Sequence, residues 1–110
     1  MRADPVTDEI AKAIYERDKG CVAALVFGAT GCTDMWGQHI DPLLSANSKR
    51  RWRQCFHLDH VHPWYAKMGV RASSLRLWLL CAGHHLNGWA TKKENRVKAR
   101  EYLTSQGVAP

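Results

Sequence analysis

The chain lacks any apolar run long enough for a membrane. Its longest, Cys21–Phe27, falls far short of the about 20 residues a spanning helix needs. The opening MRADPVTDEI carries no apolar core of a secretory signal, so the expected location is a cytoplasm. No repeat and no low-complexity tract interrupts the sequence, and 110 residues leave no room for two independent cores, so one domain over 1–110 is expected. Acidic residues are the minority. Against 16 Lys and Arg stand 10 Asp and Glu, a net charge of +6 that favours a polyanionic partner, nucleic acid first. Cysteines are few: Cys21, Cys32, Cys55 and Cys81. Without an export signal they are expected as thiols, some of them metal ligands, rather than as two disulfides. A core this small would gain from a bound metal.

What is present is unevenly spread. SKRRWR, residues 48–53, sets Lys49, Arg50, Arg51 and Arg53 around Trp52. A second run holds Lys92, Lys93, Arg96, Lys98 and Arg100 against Glu94 alone. Each is either a phosphate-gripping surface or simply a solvated one. Apolar spacing at Val6, Ile10, Ala13 and Ile14 predicts a helix over 7–18 with Thr7 as N-cap, closed by DKG. Residues 28–53, rich in Gly, Ser, Asn and Asp, read as irregular. RQCFHLDH (53–60) and LRLWLLC (75–81) read as two strands with a loop between them. From Asn87 the pattern is helical, with Ala99, Tyr102 and Leu103 on one side. The order helix, irregular segment, strand, strand, helix is a small α+β fold.

Two groups of ligand-type residues stand out. Cys81 and His84 in CAGHH have the C-x2-H separation with which one turn offers two ligands to a tetrahedral ion. Cys21 and Cys32, bracketing VAALVFGATG, can supply the other pair of a structural zinc site. Cys55 could replace Cys32 there, or fill a small apolar space. The second group is FHLDHVHPWY, residues 56–65, with His57, Asp59, His60 and His62 in six consecutive positions. Asp59 is a hard oxygen donor suited to Mg2+ or Mn2+ near a phosphate. His60 is suited to take a proton from water. His85 follows His84 directly, so its ring should point elsewhere, free to join Asp59 and His60. His57 alternates onto the strand face of Asp59.

HLDH, then a connection, then LRLWLLCAGHHLNGWATKKENR resembles the HNH endonucleases of the ββα-metal (His-Me finger) class, particularly small phage-type members. The likeness covers about residues 13–103, with the ββα-metal core at about 53–104. It implies a zinc-stabilised metal-dependent DNA endonuclease with Asp59 and His85 holding a catalytic Mg2+ or Mn2+ and His60 as general base. It implies a zinc knuckle from Cys81 and His84 with Cys21 and Cys32, His84 standing where the family usually has Cys. DNA is the implied partner, contacted by the two basic runs. For a phage-encoded member the site of action would be the host cytoplasm, beside the packaging machinery. The middle Asn of the family pattern is missing: its place falls at Arg76, and Ser73, Ser74 or Asn87 is left to pin the connecting loop. His57 is then a partner of a ligand, a phosphate contact or a further ligand, and His62 a polar loop residue. The pattern is also similar to the endonuclease VII type, which resolves branched DNA as a dimer, although the long helical arm of that type is lacking. Two other classes compete. One is a zinc-stabilised nucleic-acid-binding module without catalysis. The other is a zinc-dependent protein scaffold anchored by Trp36, Trp52, Trp64, Trp78 and Trp89.

Overall fold

A computed structural model describes residues 8–47, 51–61 and 77–107, apart from the side chains of Trp52 and His60. Helix α1 (Asp8–Asp18) begins with Asp8 and Glu9, which favour the positive end of the helix dipole. Its inward stripe is Ile10, Ala11, Ile14 and Asp18, and Ala13 faces solvent instead of joining the stripe. Val6 and the expected cap Thr7 lie outside the described residues. Gly20 then passes so close to Pro42 that a Cβ there would sit 2.0 Å from its carbonyl oxygen. Helix α2 (Val22–Leu25) is one turn, too short to leave a periodic signature, in a stretch not expected to be helical. Among the described residues, the irregular segment that follows carries a bridge between Thr33 and His39, a bridge from Leu43 back to Gly20, and a 3-10 turn at Ser45–Asn47.

Strand β1 (Phe56–His60) pairs antiparallel with β2 (Leu77–Cys81), Asp59 opposite Trp78 and His57 opposite Leu80. β1 is shorter than RQCFHLDH suggested, because Trp52–Cys55 form a helical turn, α3. Before Phe56 no strand residue among the described residues remains to pair with, since its partner Cys81 ends β2 and the chain turns at once into helix α4 (Ala82–Leu86). Residues 75 and 76 of the second expected strand, and the whole connecting loop, lie outside the described residues. All of β2 is buried, as a strand covered on both faces should be. The expected single helix from Asn87 is broken by Gly88 at φ 89°, then a 3-10 turn at Trp89–Thr91. Helix α5 (Lys93–Ser105) buries Asn95, Ala99, Tyr102 and Leu103.

The outer side of β2 is held by α1. The Leu79 amide donates to Asp18 Oδ2 at 2.9 Å, and the Arg17 guanidinium donates to the Leu77 carbonyl. Arg17 also donates to Asp18 at 2.6 Å, and the Tyr102 hydroxyl donates to the same carboxylate. Asp18 therefore joins α1, β2 and α5 from a buried position, with donors satisfying the charge that burial would otherwise penalise. Burial raises the Tyr102 hydroxyl pKa first, and the Asp18 carboxylate raises it further. No described helix is long and apolar enough to cross a membrane.

Candidate functional site

Cys21, Cys32, Cys81 and His84 converge, all buried, with one ligand atom of each within 4.8 Å of the others. They are the only such group of three or more His, Cys, Asp or Glu among the described residues. Cys21 precedes α2, Cys32 opens the Thr33–His39 hairpin, Cys81 ends β2, and His84 lies one turn into α4. His84 Nδ1 is 3.1 Å from Cys81 Sγ, 3.6 Å from Cys21 Sγ and 3.9 Å from Cys32 Sγ. Tetrahedral zinc bonded to sulfur and imidazole nitrogen would separate such atoms by about 3.6 Å.

The opposite ring atom, His84 Nε2, lies 2.9 Å from the Thr30 carbonyl. A carbonyl only accepts, so Nε2 carries the proton and Nδ1 presents its lone pair to the sulfurs. The His84 amide donates to Cys81 Sγ at 3.3 Å. Hydrogen bonds from Cys21 and Cys32 and from this amide hold the Cys81 thiol well below its ordinary value, against burial. Cys32 moves the other way, raised by its hydrogen bonds with Cys21 and Cys81 and by burial. Gly83 makes the approach feasible: its amide donates to the Thr33 carbonyl at 3.0 Å, and a Cβ there would lie 2.1 Å from Thr33 Oγ1. The quartet uses Cys32. Cys55 is buried in the apolar core, and no cysteine forms a disulfide.

The second group sits on the face of β1 shared by His57 and Asp59. Cross-strand register puts Trp78 opposite Asp59, and its indole donates to Oδ2 at 2.8 Å. Arg96 also donates to Oδ2, at 3.2 Å, and to the Val61 carbonyl at 3.1 Å. His85 Nε2 stands 3.4 Å from Oδ1. That gap exceeds the about 2.7–2.9 Å of a charge-assisted hydrogen bond, and suits two ligands on neighbouring corners of one coordination shell. With Oδ2 taken twice, Asp59 can offer a cation only Oδ1. Mg2+ typically takes one or two carboxylates and keeps water for the rest.

His57 completes the arrangement. Its Nδ1 is 2.7 Å from His85 Nδ1, the rings nearly perpendicular at 86°. One nitrogen must donate and the other accept. When His85 donates, its Nε2 carries a lone pair toward Asp59, the state a metal ligand needs. Burial lowers the His57 pKa, and repulsion from His85 lowers it further. A cavity of about 330 Å³ opens beside this pair, lined by Arg53, Phe56, His57, Leu58 and His85.

Of the remaining expected site residues, Arg51, Arg53, Lys92 and Lys93 are exposed. Lys49, Arg50 and His62 lie outside the described residues, as do Ser73, Ser74, Arg76 and the ring of His60. Arg96 departs from expectation: it turns inward because the buried Asp59 carboxylate and the Val61 carbonyl need a donor, so it is not a surface cation. Asn87 is also employed locally, its Oδ1 accepting from the Trp89 amide at 2.9 Å. His85 lies on the short α4, ahead of the long final helix. Sequence reasoning missed Trp78 and Arg96 as partners of Asp59; period-two alternation across the strand pair could have pointed to Trp78. No family model, no curated protein and no solved structure matches the chain.

Proposed function

We propose that this chain is a metal-dependent DNA endonuclease of the ββα-metal (HNH) type, built around a structural zinc. The observation that carries the reading is the pairing of Asp59 Oδ1 with His85 Nε2, 3.4 Å apart, on β1 and on the helix that follows β2 directly. A divalent ion such as Mg2+ or Mn2+ bound there would stabilise negative charge developing on the phosphate and the leaving oxygen. Asp59 is aimed by Trp78 and Arg96, which hold Oδ2 and leave Oδ1 toward His85. His85 is aimed by His57. His60, next to Asp59 on β1, is assigned the proton of the attacking water, giving 5′-phosphate and 3′-hydroxyl ends. Three thiols and one imidazole, closed off from solvent, are a soft donor set that suits zinc held for folding. Arg51, Arg53, Lys92 and Lys93 supply outward charge for phosphates, so affinity should fall with salt.

Zinc-loaded protein incubated with supercoiled plasmid tests the reading. Added Mg2+ or Mn2+ should convert the plasmid to nicked or linear forms, and Asp59→Asn should abolish the conversion. No nicking with any divalent ion overturns it. One observation favours a second reading, a zinc-stabilised nucleic-acid-binding module without cleavage: Arg96 already neutralises the Asp59 carboxylate. Such a module would retard DNA in a gel and leave plasmid intact under every ion.

A further inference from the structure

Trp36 is the most exposed large apolar side chain among the described residues, 64% accessible, with Met35 beside it at 48%. Nothing about the loop that carries it is slack. The buried Asp34 carboxylate accepts from the Trp36 amide at 2.9 Å and from the Gln38 amide at 3.0 Å. The Asp34 amide donates to the Gln38 carbonyl, and Gly37 supplies the left-handed turn at φ 85°. At its root the hairpin carries Cys32, whose carbonyl accepts from the Ile40 amide. Two bonds tie the hairpin to the candidate cutting site. The Met35 amide donates to the Gln54 carbonyl at 2.9 Å, and the Thr33 carbonyl accepts from Gly83 on the turn that bears His85. Gln54 is flanked by Arg53, exposed and lining the cavity beside His57 and His85. Arg51 is exposed one turn away.

We propose that Trp36 is a stacking platform for an unpaired nucleobase, with Arg51 and Arg53 holding the flanking phosphates. The inference rests on the nucleic-acid reading above and adds a substrate class to it: a strand with unpaired bases near the cut, rather than uninterrupted duplex. A rigid tip presents the indole without the ordering cost that a mobile loop would pay on binding. A flat π-face, together with exposed arginines on the segment to which its loop is hydrogen-bonded, is complementary to a base on a phosphodiester backbone. Stacked, paired bases inside a duplex have no free face to offer it. An apolar patch of two residues is also small for a protein interface.

The test uses the zinc-loaded full chain and two labelled probes, a short oligothymidylate strand and the same strand in a blunt duplex. Binding is followed by fluorescence anisotropy. Trp36→Ala should weaken the single strand by about 5- to 150-fold, the range for loss of one base–aromatic stack, and the duplex by less than about twofold. Trp36→Phe should retain most single-strand affinity, and zinc content should stay unchanged in both variants. Equal losses on both probes, or no loss on either, overturn the inference, and so does a wild-type protein that binds neither probe. Plasmid nicking measured alongside separates the two ideas. Nicking with no single-strand effect leaves the endonuclease and removes the platform; a single-strand effect without nicking leaves the platform and removes the endonuclease.

Discussion

His84 and His85 are consecutive residues on one turn of α4, yet their surroundings have nothing in common. The His84 ring is closed in, 4% exposed, with three sulfurs at one nitrogen and a carbonyl at the other. The His85 side chain is 32% exposed, between a carboxylate oxygen and a second imidazole. Successive helical residues point about 100° apart, so one short turn can serve two chemistries if different elements pack on each side. Sulfur ligands come from the residue before α2, the hairpin and β2; the oxygen and the second ring come from β1. The two positions should therefore fail differently.

The largest expected effect is on the sulfur side. Structural zinc binds small metal domains with about 10–16 kcal/mol, as much as the whole stability of a typical domain. Cys81→Ser should lose both bound zinc and the cooperative thermal transition, read by metal analysis and circular dichroism; native spectra without zinc would break the contrast. Next comes His60→Ala, which should slow plasmid nicking by about 10²–10⁴-fold while zinc content and thermal midpoint hold. A matching loss of fold would erase the difference between the two positions. Smaller is Gly83→Ala, at the pivot between them, where the new Cβ meets Thr33 Oγ1. Overpacking of this kind costs about 1–3 kcal/mol, and Thr33→Ala in the same chain should return part of it in urea titrations.

The smallest effect is a pH slope. Burial and then His85 depress the His57 pKa in the folded protein. Below its ordinary value of about 6.5, the unfolded chain takes up this proton and the folded one resists. Stability should therefore fall as pH drops from about 6.5 toward the depressed value. His57→Gln should flatten this part of the curve in thermal melts of zinc-loaded protein, and an unchanged slope would show that the pair does not resist charging.

The features readable in sequence were local or periodic. C-x2-H at Cys81 and His84 marked one half of the thiol cluster, and the His57–Asp59 alternation marked one strand face. Inward stripes of α1 and α5 were visible except at Ala13, whose spacing fits the stripe but whose side chain faces water. What escaped depended on partners far along the chain. DKG reads as a helix stop, whereas Asp18 meets Leu79, 61 residues away, and Tyr102, 84 away. Arg96 reads as one more cation on a basic helix, and only the buried Asp59, 37 residues earlier, draws it inward. Arg53–Cys55 read as strand because their own pattern allows it; the early end of β2 leaves them nothing to pair with.

The contact between α1 and β2 has a consequence for how molecules of this protein meet one another. With Asp18 on the Leu79 amide and Arg17 on the Leu77 carbonyl, these groups are not left as a template on which a foreign strand could zip. Fibrous growth, if it starts, must start elsewhere than along this side of LWLLC, an uncharged apolar strand whose composition would otherwise invite it. An acid–base pair at the close of the first helix thus doubles as a guard against self-adhesion.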